Sequence, residues 1–263
     1  MVRLCEVLDA FDQGQFVIFY QGIFECRTRR LSGVEALVRW QHPTDGLVGP
    51  DDFLDTVMRG GLAPRFTRWV LDQALAQCAA WRRDGLDVGV SVNVSAVECA
   101  QPELPVTVAA ALERYDVPAH LVTIELTEQS CTAQASQLRP VLQGLARLGV
   151  RLSMDDFGVG ESSLTRLREL QFDEVKLDRT FVQDICSNPT DRHIVSYTNR
   201  LARELGIRVV AEGVETDDVL LALDDIAIEK VQGYLLHRPS TAVDVPVEVE
   251  QLVLAARDLR LPD

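Results

Sequence analysis

The chain has 263 residues, 47% of them hydrophobic and 25% charged, enough to build a globular core without disulfides or metals as staples. Its formal net charge of -14 argues against binding duplex nucleic acid or an anionic membrane surface, both of which call for basic patches. A small anionic ligand stays open, provided that cations bridge the two. No charged-then-apolar leader and no run of about 20 apolar residues is present, so direct membrane insertion is not expected.

In chain order, a helical pattern opens the sequence, and residues 16–24 (FVIFYQGIF) and 31–40 (LSGVEALVRW) read as neighbouring strands. Helical periodicity covers 51–83, with Leu71, Ala74, Leu75, Cys78 and Trp81 on one face. Strand-like runs then follow at 88–94, 121–126, 150–154, 174–177, 207–211 and 230–235. Between them lie helical segments at 105–114, 133–148, 191–205 and 216–223. Strands that alternate with helices imply a parallel α/β sheet. Eight strand candidates in about 250 residues favour a closed (β/α)8 TIM-like barrel over an open doubly wound sheet, which the pattern also allows. One domain over 1–263 is expected, with 240–263 as a C-terminal helix and tail.

Cys5, Cys26, Cys78, Cys99, Cys131 and Cys186 are scattered without a CxxC pair, and His42, His120, His193 and His237 show no ligand spacing. The cysteines read as reduced, mostly buried thiols of a cytosolic protein. Any metal should therefore be a hard cation held by oxygen.

The informative feature is what interrupts or ends each apolar run. Glu35 lies in GVEALVRW, Asn93 in VSVNVS and Glu125 in TIELTE; Asp155 and Asp156 close RLSMDD. Lys176 lies in EVKLD, Glu212 closes RVVAEG and Gln232 lies in KVQGY. A single acid after a strand is usually a helix cap or a satisfied polar group. Recurrence on six or seven strands is different, because a parallel barrel gathers its strand ends on one face. Five carboxylates gathered there repel one another, and divalent cations remove the conflict. Oxygen donors with an amide among them suit magnesium or manganese, and a pair of such ions suits in-line displacement at phosphorus. Lys176 adds a cation at that end to steady a phosphate, and Arg39 offers a fork for one.

These residues stand in motifs that resemble the EAL domain, the cyclic-di-GMP-specific phosphodiesterase family of bacterial signalling. YQGI, EALVRWQHP, VNVSA, IELTE, DDFGVGESSL, VKLDRTFV, VVAEGVET and VQGY follow in the family's order from about Leu4 to Pro239. The resemblance implies a barrel whose first strand runs antiparallel to the others, and hydrolysis of cyclic-di-GMP to linear pGpG by a two-metal mechanism. It implies two divalent cations, Mg2+ or Mn2+. Glu35, Asn93, Glu125 and Asp155 match ligands of the first, and Asp155, Asp156 and Glu212 match ligands of the second. Lys176 and Gln232 match residues that position water and the scissile phosphate. Gln21, Leu37 and Arg39 match substrate contacts, and Glu128 matches the acid that tethers the loop after the paired aspartates. The resemblance also implies a bacterial cytoplasmic setting, as a free domain or within a larger protein carrying sensory or GGDEF modules, and a homodimer.

Three departures stand out. YQGI replaces the family's usual YQPI, and Gly22 should loosen the chain beside Gln21. The usual DFGTGYSS reads DFGVGESS, with Val159 and Glu161 in place of a hydroxyl and an aromatic. Met58 and Arg59 stand where the family commonly carries acids. The altered loop gives the alternative reading: a weakly active or inactive EAL-like receptor of cyclic-di-GMP, or a protein-interaction module.

Overall fold

The computed structural model describes residues 2–128, 135–159, 166–167, 169–247 and 249. Helix α1 (Leu4–Asp12) leads into the long hairpin of β1 (Phe16–Glu25) and β2 (Leu31–His42). The short β3 (Gly46–Val48) adds an antiparallel edge to β2. Next come α2 (Leu54–Arg59), α3 (Ala63–Arg83), β4 (Gly89–Asn93), α4 (Ala96–Cys99), α5 (Leu104–Tyr115) and β5 (Val122–Thr127). The second half carries α6 (Ala135–Leu148), β6 (Arg151–Phe157), β7 (Glu174–Leu177), α7 (Arg179–Val182), α8 (Pro189–Glu204), β8 (Arg208–Ala211), α9 (Asp217–Asp225) and β9 (Lys230–Val231).

The sheet runs β1-β9-β8-β7-β6-β5-β4-β2-β3, and the β1–β2 pairing closes eight of these strands into a barrel. β1 is antiparallel to both of its neighbours, β2 and β9, whereas the ladder from β2 through β4 to β9 is parallel. The fold is thus the (β/α)8 barrel with an inverted first strand. The strands are rich in Val, Ile and Leu because helices cover them outside while side chains fill the inside.

Helix boundaries follow local chemistry. Asn188 caps α8 by accepting the Thr190 N–H at 3.0 Å, and Pro189 occupies the first turn, where no N–H is needed. The Thr216 hydroxyl accepts the Val219 N–H at 3.3 Å to start α9. Leu71, Ala74, Leu75, Cys78 and Trp81 form the buried stripe of α3 as the periodicity implies. The expected helix over 51–83 is interrupted: a 3-10 turn at Pro50–Asp52 and the Gly60–Gly61 pair divide it into α2 and α3. Where α1, α3 and the residue before α2 meet the hairpin, Phe16 packs with ring centroids 5.0–5.9 Å from Phe11, Phe53, Phe66, Trp40 and Trp69.

The last strand is shorter than the run 230–235, ending at Val231. A Cβ on Gly233 would lie 2.1 Å from the Val214 carbonyl oxygen, so the chain turns there at a backbone approach that only glycine permits. Among the described cysteines Cys26, Cys78 and Cys99 are buried while Cys5 and Cys186 are exposed, and none forms a disulfide. Cys131 lies outside the described residues, as do Glu161, the start of the expected helix over 133–148, and most of the expected tail over 240–263. No helix among the described residues is long and apolar enough to cross a membrane.

Candidate active site

The parallel ladder carries the strand-end polar groups round the barrel mouth with a stagger of two residues at some steps, as tilted barrel strands require. Glu35 pairs with Ser91 on β4, Asn93 with Glu125 on β5, and Thr127 with Asp155 on β6. Gln21 on the inverted β1 lies opposite Glu35, so its amide reaches the same mouth from a strand running the other way. In a regular strand Asp155 and Asp156 would point to opposite faces. A register shift in the β6–β7 ladder and a left-handed Asp156 (φ 55°) break that alternation and let both carboxylates serve one site. A left-handed conformation costs most residues roughly 1–2 kcal/mol and aspartate less, because its short polar side chain can hydrogen-bond locally.

Lys176 is 1% exposed and sits among four acids. Its Nζ lies 3.0 Å from Glu35 Oε2, 2.9 Å from Glu125 Oε2, 3.5 Å from Asp155 Oδ1 and 2.7 Å from Glu212 Oε1. Asn93 Nδ2 donates to Glu35 Oε1 at 2.7 Å, and Gln232 Nε2 donates to Glu35 Oε2 at 2.8 Å and to Gln21 Oε1 at 3.2 Å. The Gly158 N–H donates to Glu128 Oε2 at 3.0 Å, which ties the loop after the paired aspartates to the end of β5.

One cation does not balance these acids. Burial pushes the Glu212 carboxyl up to about 8, and Asp155 and Glu35 add to the effect against the pull of Lys176. Burial likewise holds Glu125 well above the carboxylate range, and Asp156 is raised by burial and by its neighbour Asp155. Glu35 goes the other way: burial opposes its charge, but Lys176 and the amides of Gln232 and Asn93 outweigh it. Burial also opposes the Lys176 charge, yet Asp155, Glu125, Glu212 and Glu35 together hold its ammonium well above the ordinary lysine value.

One carboxylate oxygen from each of Glu35, Glu125 and Asp155 lies within 4.8 Å of the other two, and the same holds for Asp155, Asp156 and Glu212. Asp155 belongs to both groups. Glu125 Oε1 is buried and accepts no hydrogen bond. A hard divalent cation fits each group: it supplies the missing partner and offsets the repulsion that raises these carboxyls. The adjoining cavity of about 370 Å³ holds roughly a dozen waters at about 30 Å³ each, room for ions, their waters and a phosphate group.

Gln21, Glu35, Asp155, Asp156, Lys176, Glu212 and Gln232 line that cavity, with Asn93 and Glu125 bonded or packed behind them. Leu37 and Arg39 do not line it. They extend the Glu35 face outward along β2, and Arg39 Nη1 donates to the Val38 carbonyl at 2.8 Å. Asp178, Arg179, Glu215 and Tyr234 also line the cavity, beyond the residues that the sequence motifs indicate. The signal for the first two was available: they follow β7 directly, as Glu212 follows β8.

The family model for the EAL domain matches residues 4–239. MucR of Pseudomonas aeruginosa, a bifunctional diguanylate cyclase/cyclic di-GMP phosphodiesterase, is 37% identical over 241 residues, or 91% of this chain and 35% of MucR. The cyclic di-GMP phosphodiesterase NbdA of the same organism is 38% identical over 235 residues, or 89% of this chain and 30% of NbdA. This chain thus spans about a third of the length of these curated relatives. Among solved structures, the PaMucR phosphodiesterase in its c-di-GMP complex matches with a TM-score of 0.87 and 36% identity, covering 92% of this chain and 98% of that one. The EAL enzyme Bd1971 in its cAMP- and cyclic-di-GMP-bound form matches with a TM-score of 0.88 and 27% identity, covering 95% of this chain and 68% of that one. Motif order, inverted first strand and acidic mouth agree with these matches: the chain belongs to the EAL domain family.

Proposed function

We propose that this chain hydrolyses cyclic-di-GMP to linear pGpG with two divalent cations, Mg2+ or Mn2+. The observation that carries the reading is the pair of carboxylate groups sharing Asp155, the first of which includes Glu125, whose buried Oε1 accepts no hydrogen bond. The similarity to MucR and NbdA supports the choice of substrate.

Glu35, Asn93, Glu125 and Asp155 would hold one cation; Asp155, Asp156 and Glu212 would hold the other. When bound, such ions activate water and stabilise charge developing at phosphorus. The chain's own residues do the positioning. Lys176 places a buried ammonium beside the acids, where it can hold a non-bridging phosphate oxygen. Gln232, through its bonds to Glu35 and Gln21, fixes the amide that orients water and phosphate. Gln21, Leu37 and Arg39 contact the dinucleotide along the rim, and Glu128 holds the following loop in place through Gly158. The relatives' greater length supports a module within a larger bacterial signalling protein, with the domain in the cytoplasm beside sensory or GGDEF partners.

Incubation of the purified protein with cyclic-di-GMP and either ion should give pGpG by chromatography, and Glu35→Ala should lower turnover more than about a hundredfold. Absent turnover with both ions, together with tight binding that needs no metal, would replace the hydrolase by the receptor reading.

A further inference from the structure

We propose that His237 is a positioning residue for Gln21, acting through the backbone N–H that glycine provides at position 22. This rests on the cyclic-dinucleotide reading above, in which Gln21 touches the substrate.

His237 is buried beyond the end of the last strand, outside the acidic cluster. It holds the tip of β1 twice. The Gly22 N–H donates to His237 Nδ1 at 3.1 Å, and Gln21 Nε2 donates to the His237 carbonyl oxygen at 3.2 Å. Gln21 Oε1 in turn accepts from Gln232, which donates to Glu35. A relay of hydrogen bonds therefore runs from His237 to the acid at the centre of the site. It uses one of the two N–H groups of the Gln21 amide and leaves the other for a ligand.

The donor pattern fixes the state of the ring. A backbone N–H can only donate, so Nδ1 must present its lone pair, and the ring is neutral with its proton on Nε2. Nε2 faces the Ser240 hydroxyl at 3.3 Å. Gly22 matters for two reasons. A proline there would offer no N–H. A Cβ there would lie 2.5 Å from Cε2 of Phe24, whose ring folds back over position 22. The glycine does not loosen the chain beside Gln21, as its type alone suggests; it is buried and anchored.

The ring bond is not what keeps this segment attached. Tyr20 and Ser240 exchange both backbone hydrogen bonds, at 2.8 and 3.0 Å, and the His237 N–H donates to the Gly233 carbonyl at 3.1 Å. Removing the imidazole should leave the fold closed and free the Gln21–Gly22 peptide to wander.

The test compares His237→Leu, which keeps apolar bulk, with His237→Asn, whose Oδ1 can accept where Nδ1 does. In the full chain with Mn2+, His237→Leu should raise the KM for cyclic-di-GMP roughly five- to tenfold, the effect of one lost hydrogen bond. Its kcat should stay within about twofold, as for a contact made equally in ground and transition states. His237→Asn should restore KM to within about twofold, with both variants melting alongside the parent. A His237→Leu enzyme with the parent's KM, a loss confined to kcat, or an Asn variant as impaired as the Leu variant would each overturn the proposal. A parent without turnover would sink the substrate reading instead. Amide exchange at Gly22, which needs no substrate, then decides: slow in the parent and His237→Asn but fast in His237→Leu supports the contact, and equal protection in all three overturns it.

Discussion

The barrel interior holds two layers of charge, and β7 contributes a residue to each. Glu174 belongs to the end away from the mouth and Lys176, two residues on and therefore on the same face, to the mouth. Glu174 is 3% exposed, yet Lys230 Nζ lies 2.8 Å from it and Arg208 Nε 3.6 Å from it, so its charge is answered by the chain itself. At the mouth one lysine faces Glu35, Glu125, Asp155 and Glu212 within 3.5 Å, with Asp156 beside them. Burial is similar and the balance is not. A layer whose charges close within the chain supports the fold; a layer left in deficit asks for a ligand of opposite sign.

The largest expected effect breaks this contrast at Lys176. In the metal-free protein at pH 7, Lys176→Met removes the ammonium that lies within 3.5 Å of four buried acids and should cost about 3–5 kcal/mol. Glu174→Gln should cost less, about 1–2 kcal/mol, because Lys230 and Arg208 are partly exposed and can turn to water. Urea unfolding of the two variants gives the order, and a reversed order would remove the distinction between the layers.

The next effect sharpens it. Mg2+ or Mn2+ at about a hundred times its Kd should stabilise the parent by about 2.7 kcal/mol. Chelation should remove the gain. Asp155→Asn, which changes the residue shared by both acid groups, should abolish it, while Glu174→Gln should keep it. Thermal unfolding with and without metal separates these outcomes.

The same deficit makes metal binding depend on pH. The Glu212 carboxyl, raised to about 8, holds its proton below that pH in the metal-free protein and loses it above. A cation must displace the proton, so apparent affinity should climb with pH, about tenfold per unit per proton, and level off above about 8. Calorimetry at pH 7 in buffers of different ionisation enthalpy should register release of at least one proton. No release would mean that the mouth does not hold protons in place of metal.

The mouth was more legible in sequence than the layer beneath it. Strand ends marked by Glu35, Asn93, Glu125, Asp155, Lys176 and Glu212 stand out because a polar residue interrupts an apolar run, and the barrel follows from the alternation of strands with helices. Glu174, Arg208 and Lys230 gave no such signal: each begins its strand, where a charge reads as a solvated end. The break at Gly60–Gly61 was hidden because amphipathic periodicity continues across it. His237 shows no ligand spacing, since its partner is a backbone N–H more than 200 residues away and no side-chain pattern encodes that. Asp178 and Arg179 are legible in principle, because they follow β7 as Glu212 follows β8.

The smallest effect concerns backbone strain, and two positions allow the comparison. Asp156 (φ 55°) stands at the mouth and Ala227 (φ 60°) in the turn between α9 and β9. Alanine disfavours the left-handed region, aspartate tolerates it better, and glycine enters it freely. The relief, roughly 1–2 kcal/mol for alanine and less for aspartate, is offset in part by the greater freedom of glycine in the unfolded chain. Each glycine variant should therefore gain only about 0.5–1 kcal/mol in the metal-free protein. With metal present the two should part. Ala227→Gly keeps its gain and the metal-dependent stabilisation, while Asp156→Gly loses a carboxylate of the second acid group and falls behind the parent. Equal behaviour with metal would mean that the strained turn at Asp156 belongs to the fold and not to the site. Divergence would show a strain retained because it turns two consecutive carboxylates into one mouth.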